Sequence, residues 1–201
     1  MRLPDVCAIN TGYTARNRLE PASVGGVLAI QLSAIDSSGL VKPANLTRVQ
    51  LEEAAERYFV NAGDVLFRSR GDRTTALALG SEFREPALAV LPLMILRPKR
   101  EVVTPEYLAW IINQPAAQRH FDQAARGTNM RMVPRSSLDD LDVDIPDIET
   151  QLKIVAVDLL AERERELSCR AAETRRKITS LSLAERASRQ PGITIKEGSP
   201  R

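Results

Sequence analysis

The stretch 61-NAGDVLFRSRGDRTTALALG-80 decides how the chain is read. It opens on a turn at Asn61–Asp64, runs through Val65, Leu66 and Phe67, and closes on the apolar run Ala76 to Leu79. Two apolar runs of strand length, punctuated by glycines, predict two core strands. Alternation after Gly63 places Val65, Phe67 and Ser69 on one face and Leu66, Arg68 and Arg70 on the other. Between the runs stand Arg68, Arg70 and Arg73, around Gly71. One reading makes them a solvated turn between strands. The other makes them contacts to phosphate or guanine, because guanidinium is a rigid fork that matches phosphate oxygens or the guanine O6/N7 edge. Ser69, Thr74 and Thr75 belong to the same candidate set, since hydroxyls bond phosphate. Gly71 permits close backbone approach.

Working outward, Gly25 to Asp36 carries β-branched and apolar residues between glycines and an SSG turn, which predicts a strand. Leu51 to Tyr58 is polar and reads as a short helix or a loop. Residues 86–98 read as one or two buried strands, with Pro92 at an edge or a break. Beyond them the pattern turns helical. Thr104 caps, Pro105 suits the first helical position, and Tyr107, Leu108, Ile111 and Ile112 repeat at helical spacing. Pro115 starts a second helix carrying Ala116, Arg119, His120 and Ala124, and Gly127 is placed to end it. A second basic and polar cluster follows: Arg126, Thr128, Asn129, Arg131 and Arg135. It is either a helix terminus with Arg126 near the carbonyl end, or a second nucleic-acid loop in which Asn reads adenine and Arg reads guanine. Arg97, Lys99 and Arg100 read as a solvated strand-to-helix connection. Leu141, Val143 and Ile145 alternate with Asp140, Asp142 and Asp144, which predicts a half-buried strand ending at Pro146.

From Glu149 to about Ser188 there is neither Gly nor Pro, and charges are dense. Val157, Leu160, Leu167, Ala171, Ile178 and Leu181 fall on a heptad seam, interrupted by Glu164 and Thr174. This predicts a long helix made to pair with another helix. The expected fold is mixed α+β: a globular domain over 1–148 with a twisted sheet and short helices, a long helix over 149–188, and a loose tail over 189–201.

Composition narrows the function. The formal net charge is only +2, so any nucleic-acid footprint must come from local clustering. Cys7 and Cys169 are too far apart in sequence to suggest a disulfide framework, which points to a reducing cytoplasm. With a single histidine, His120, a zinc site lacks ligands, and no metal is expected. The aspartates at 139, 140, 142 and 144 read as the wet face of an extended segment rather than as ligands. No basic head and apolar core of a signal peptide opens the chain, and the longest apolar run is too short for a bilayer. Neither a phosphate-binding glycine loop nor a methyl-donor signature is present, and no nucleophile stands near His120 in sequence. No catalytic residue and no bound cofactor are therefore expected.

Three segments, in order, carry a resemblance: GDVLFRSRG (63–71), TPEYLAWIINQPAAQRHF (104–121) and RGTNMRMVPRSSLDDLDVDIPDIETQLKIV (126–155). Together they resemble a target-recognition domain of the specificity (S) subunits of Type I restriction-modification systems. Gly63, Asp64 and Leu66 match the first strand; Pro105, Tyr107 and Leu108 the helix; Gly127 and Thr128 the loop. Leu138, Ile145 and Pro146 match the closing strand, and Gln151 and Ile154 the start of the long helix. The resemblance spans roughly residues 3 to 188. It implies a non-catalytic subunit, active in phage defence, that reads half of a bipartite duplex DNA site in the major groove. The long helices of such subunits form an antiparallel coiled-coil spacer and dock modification subunits, which carry the methyl donor and the adenine methylation. A restriction subunit adds translocation and cleavage, with any ATP bound there. Full members carry two recognition domains and two helices, whereas this sequence has one of each. The expected partners are thus DNA, a modification subunit, a restriction subunit in some systems, and either a second copy or a second half-subunit. An alternative is an interaction or decoy module that binds the modification subunit through its helix without reading DNA. A stand-alone enzyme would need a clustered catalytic set that the sequence lacks.

Overall fold

The computed structural model describes residues 1–15, 18–22, 24–36, 39–51, 53–71, 74–125 and 131–189. The first elements are α1 (Leu3–Val6), β1 (Cys7–Thr11), β2 (Val27–Ile30), β3 (Thr47–Val49) and β4 (Phe59–Val60). They are followed by β5 (Val65–Arg68), β6 (Thr75–Ala78), β7 (Ala87–Ala89) and β8 (Leu93–Pro98). The helices α2 (Pro105–Asn113), α3 (Pro115–Ala124), α4 (Arg135–Asp139) and α5 (Ile148–Arg189) complete the order. The chain divides into two units, Met1–Val155 and Ala156–Arg201.

Two sheets build the first unit. One is antiparallel in the order β1-β8-β5-β6; the other runs β3-β2-β7-β4, with β2 and β7 parallel. The segment 61–80 supplies the inner strand β5 and the edge strand β6 of the first sheet. Val65, Leu66 and Phe67 are all 0% exposed, so β5 is covered on both faces. Val65 and Phe67 pack with Leu108, Ile112, Phe121 and Leu138 on the helical side. Leu66 packs with Ile30, Leu77, Leu93 and Ile95 on the side of the second sheet. Phe67 meets Phe121 with ring centroids 5.0 Å apart. A strand buried between two layers needs apolar residues in succession, which is why the run is unbroken while its side chains still alternate.

The Gly63-Asp64 pair is explained by its turn. Gly63 has φ +87°, and a Cβ there would lie 2.1 Å from the Arg100 guanidinium, which donates to the Ala62 carbonyl at 3.0 Å. The left-handed backbone favours glycine, and an added side chain would have to push the Arg100 guanidinium aside. The Asp64 carboxylate accepts the Asn61 amide at 2.9 Å and faces Arg97 at 3.8 Å. Burial raises its pKa, and the Asn61 amide and the charges of Arg97 and Arg100 act against that rise. Arg97 and Arg100 thus serve the turn and are not a free basic patch. Lys99 likewise donates to the Asp5 carbonyl at 2.7 Å.

Of the stretch 25–36, only Val27–Ile30 is strand, and Leu32–Ala34 forms a single 3-10 turn. Tyr58 closes another 3-10 turn beginning at Glu56. Residues 86–98 form two strands, with a cis Leu91-Pro92 bond between them.

The strand expected around Leu141 to Ile145 does not form. Leu138 lies in α4, and the segment after it is extended but pairs only with the chain's first residues. Leu3 donates its amide to Leu141 at 2.9 Å, and Val143 and Met1 exchange bonds at 2.8 and 3.0 Å. Leu141 and Val143 are buried while Asp140 and Asp142 are exposed beside Arg2, at 2.7 and 3.9 Å. Extended backbone preserved the alternation, but one bridge, Arg2 with Asp142, is too little to make a ladder.

The helix starts follow their caps. Thr104 Oγ1 accepts the Tyr107 amide at 3.2 Å, and Pro105 takes the first position of α2. Asp147 accepts the Thr150 amide at 2.9 Å and its hydroxyl at 2.8 Å, which hold the Asp147 carboxyl below the ordinary carboxylate range. Gln151, in the first turn of α5, is 0% exposed. Its Oε1 accepts the Thr104 amide at 2.9 Å, and its Nε2 donates to Val102 and Pro146 carbonyls at 2.9 and 2.8 Å. The Tyr107 hydroxyl donates to the Asp144 carbonyl at 2.8 Å. Ile154 and Val155 pack against the helical core.

Candidate nucleic-acid interface

The two basic segments separated by some sixty residues in sequence meet in the fold. Past the end of β5, the Val133 amide donates to the Ser69 carbonyl at 2.8 Å, and the Gly71 amide donates to the Arg131 carbonyl at 3.2 Å. Arg70 and Met132 form an antiparallel bridge between these bonds. The backbone of 69–71 is thereby tied to that of 131–133. Arg70 and Arg131 are both exposed on this joined segment.

Their side chains stand differently. Among the described residues, Arg70 has no side-chain hydrogen bond or ion pair, so its fork is free for an outside acceptor. Arg68 is half-buried and donates Nε to the Arg70 carbonyl at 3.0 Å. Its guanidinium lies over Gly71, where φ is +123° and a Cβ would sit 2.4 Å from Nη2. Arg68 also lines a groove of about 580 Å³ with Gln31, Leu32, Ser33 and Leu91. Arg131 is held by Asp122, at 3.2 Å to the carboxylate and 2.6 Å to the carbonyl.

Ser69 is corrected. It is 0% exposed, and its hydroxyl donates to the Pro92 carbonyl at 2.6 Å. It continues the inward face of Val65 and Phe67, so it ties the loop down and does not face a ligand. Thr74 donates its hydroxyl to Gln118 Oε1 at 2.8 Å, which leaves its lone pairs as acceptors. Thr75 opens β6 opposite Arg68. Thr74 and Thr75 share a second groove with Asn113, Gln118, Asp122 and Arg131. Arg73, Arg126, Thr128 and Asn129 lie outside the described residues, as does Gly127. Arg135 is turned to Asp139 at 3.7 Å.

Several residues of this surface were not singled out in the sequence. Asn113 exchanges two bonds of 2.8 Å with the backbone of Ala76, covering the open edge of β6. Gln118 anchors Thr74, and Asp122 restrains Arg131. Gln31 and Ser33 join the surface through the 3-10 turn. Their positions depend on strand pairing between distant segments, for which a local pattern holds no signal. His120 is structural: a ring nitrogen lies 2.9 Å from the Ser137 carbonyl, and the ring edge meets Phe121.

A larger concavity of about 740 Å³, lined by Val27, Glu56, Phe59, Glu85 and Arg97 among others, shares no lining residue with these grooves. Arg97 donates there to the Arg57 and Phe59 carbonyls, and Glu85 pairs with Arg48 at 2.5 Å. Among the described residues, no helix is long and apolar enough to cross a membrane, and no group of three or more His, Cys, Asp or Glu could hold a metal ion.

The second unit is the body of α5. Val157, Leu160, Leu167, Ile178 and Leu181 are between 49% and 71% exposed there, and Ala171 is exposed with them. These side chains leave an open apolar line along the helix.

No protein-family model matches the sequence, and no curated protein matches it. Solved structures do. The crystal structure of an HsdS subunit from Thermoanaerobacter tengcongensis matches with a TM-score of 0.65 and 22% identity, over 100% of this chain and 50% of that one. A chain from a structure concerned with complex assembly and conformational transition of the type I R-M system matches at TM-score 0.55 and 20% identity, covering 91% and 43%. The type I restriction-modification S subunit from M. genitalium matches at TM-score 0.54 and 10% identity, covering 84% and 40%. The mixed α+β fold with its long C-terminal helix is therefore the fold of part of such subunits, and the chain spans about half the length of the T. tengcongensis subunit.

Proposed function

We propose that the chain is a DNA-reading specificity component of a Type I restriction-modification system. The observation that carries this reading is the tie between 69–71 and 131–133, which places two arginine-bearing segments side by side on this fold. Arg70 is the base-reading candidate, because its fork is free and exposed. Arg131 is the phosphate candidate, and Arg68 lines the adjoining groove. Thr74 and Thr75 accept or bridge through water at the rim. A guanidinium reads guanine through two parallel bonds, whereas phosphate contacts fix register without carrying sequence.

The chain performs no bond chemistry in this account. A modification subunit supplies the methyl donor and the adenine methylation, a restriction subunit supplies cleavage and any ATP use, and α5 docks the assembly. The cytoplasm is the compartment where its DNA lies. A randomised-duplex selection with the chain assembled on a modification subunit tests the reading. Enrichment of one interrupted motif is expected; recovery of unenriched duplex would overturn it.

A further inference from the structure

Among the described residues four glutamines are buried or half-buried, and three of them are spent on the backbone. Gln114 donates to the Trp110 carbonyl at 3.1 Å, Gln118 to that of Ile112 at 2.9 Å, and Gln151 to those of Val102 and Pro146. Gln31 is the exception. Its half-buried carboxamide makes no hydrogen bond among the described residues. It precedes the 3-10 turn Leu32–Ala34 without capping it. Its backbone, by contrast, is held. The Gln31 carbonyl accepts the Ala34 amide at 2.9 Å, and the Ile30 carbonyl before it accepts the Val90 amide at 3.0 Å.

Gln31 lines the groove of about 580 Å³ at the ends of β2, β5 and β7, together with Ser33, Arg68 and the apolar Ile35, Val90 and Leu91. Arg68 commits its Nε to the Arg70 carbonyl, and its two Nη groups take no partner among the described residues. Gln31 and Arg68 thus share one groove and make no bond to each other. Both are open to an outside partner. The groove is also tied to the arginine-bearing surface. Pro92, which follows Leu91, accepts the Ser69 amide at 3.3 Å, and the Ser69 carbonyl accepts the Val133 amide at 2.8 Å. Its wall is therefore joined to the segment that carries Arg70 and, through it, to the segment that carries Arg131.

We propose that Gln31 is a specificity-determining residue that selects adenine in the site the chain reads. The proposal rests on the DNA-reading account given above. The chemistry singles out one base. A carboxamide sets one acceptor beside two donors. Adenine alone presents the complement in the major groove, an N6 amine beside the N7 acceptor. Guanine presents two acceptors, cytosine one donor, and thymine one acceptor with a methyl group. Arg68 and Arg70 carry donors only, which suits guanine. Gln31 adds a letter that an arginine does not read. Because its backbone is already fixed at the turn, binding has only the side-chain torsions of Gln31 to order.

Randomised-duplex selection on the chain assembled with a modification subunit tests this with the wild type, Gln31→Ala and Gln31→Glu. The wild type should enrich a motif that contains adenine. Gln31→Ala should lower discrimination at one adenine by roughly 10- to 100-fold and leave the other positions as they were. Its thermal midpoint should match the wild type, because the side chain holds nothing in the fold. Gln31→Glu should move preference at that position toward cytosine, whose N4 amine donates to a carboxylate, and away from adenine, whose N7 would face it. A second measurement needs no variant of the wild-type chain. 7-Deazaadenine, which lacks the N7 acceptor, replaces each adenine of the motif in turn. One replacement should weaken wild-type binding, and the same replacement should leave Gln31→Ala binding unchanged. A motif without adenine, a motif unchanged in Gln31→Ala, or adenine retained by Gln31→Glu overturns the proposal and leaves the DNA-reading account standing. So does a 7-deazaadenine loss that is absent at every position or equal in both chains. Recovery of unenriched duplex by the wild type removes both.

Discussion

The side-chain oxygen of Gln151 accepts the backbone amide of Thr104 at 2.9 Å, joining the first turn of α5 to the residue that caps α2. The same carboxamide donates to Val102 and Pro146, so one fully buried side chain closes three backbone groups from two segments. Gln151→Ala strands all three in a site without exposure. Each stranded group costs ~1–3 kcal/mol before water or relaxation relieves it, so a loss of ~2–4 kcal/mol is expected. Urea unfolding of the full chain measures it. A midpoint unchanged from wild type would remove Gln151 from this role.

Gly63→Ala is expected to destabilise by ~1–3 kcal/mol through its left-handed backbone alone. The added methyl also displaces Arg100 from the Ala62 carbonyl. Since this turn lies at the far end of β5 from Arg68, thermal unfolding should shift while the recognised DNA motif stays the same. A changed motif would place the turn in the interface.

Arg70→Ala should weaken specific binding by ~1–3 kcal/mol and relax discrimination at one base position, as expected of a bidentate guanine contact. Arg70→Lys should restore charge but not discrimination, because an ammonium lacks the planar fork. Ser69→Ala is the contrast. It removes the hydroxyl's bond to the Pro92 carbonyl, leaving the longer one from the residue 69 amide at 3.3 Å, and should lower stability, with the motif intact. Comparing selected motifs across the three variants separates these roles, and a Ser69→Ala chain that changes motif while keeping its stability would reverse them.

Asp122 holds Arg131 by its carboxylate and its carbonyl, so a phosphate must compete with both. Arg131→Ala should weaken binding evenly across sequences and reduce the salt slope by ~1. Asp122→Asn should act in the opposite direction, tightening binding to unrelated duplex by removing the carboxylate's charge while the backbone carbonyl still holds the guanidinium. Salt titrations of fluorescence anisotropy read both. Weaker binding by Asp122→Asn would show that the ion pair positions Arg131 for DNA instead of restraining it.

Much of the scaffold was legible because it is written in short-range terms. The unbroken Val65–Phe67 run, the Thr104-Pro105 start of α2 and the glycine-free heptads of α5 each carry their own signal. The expectation failed at 141–145, where period-two alternation marked an extended segment but could not say that its partner would be three residues at the chain's start. Ser69 failed for a related reason. Its place in the alternation already put it on the inward face of Phe67, yet its neighbours in sequence are arginines. The convergence of 69–71 with 131–133 is a long-range pairing, and sequence spacing holds no record of it. Gln31 and Gln118 entered the surface by the same route.

The most direct test of the DNA-reading account is long-read methylome sequencing of cells that express this chain with its modification subunit, beside cells that express the Arg68→Ala, Arg70→Ala chain. The account predicts one interrupted methylated motif for the wild type, and loss or broadening of that motif for the double variant. Methylation of the same motif to the same extent by both chains would contradict it.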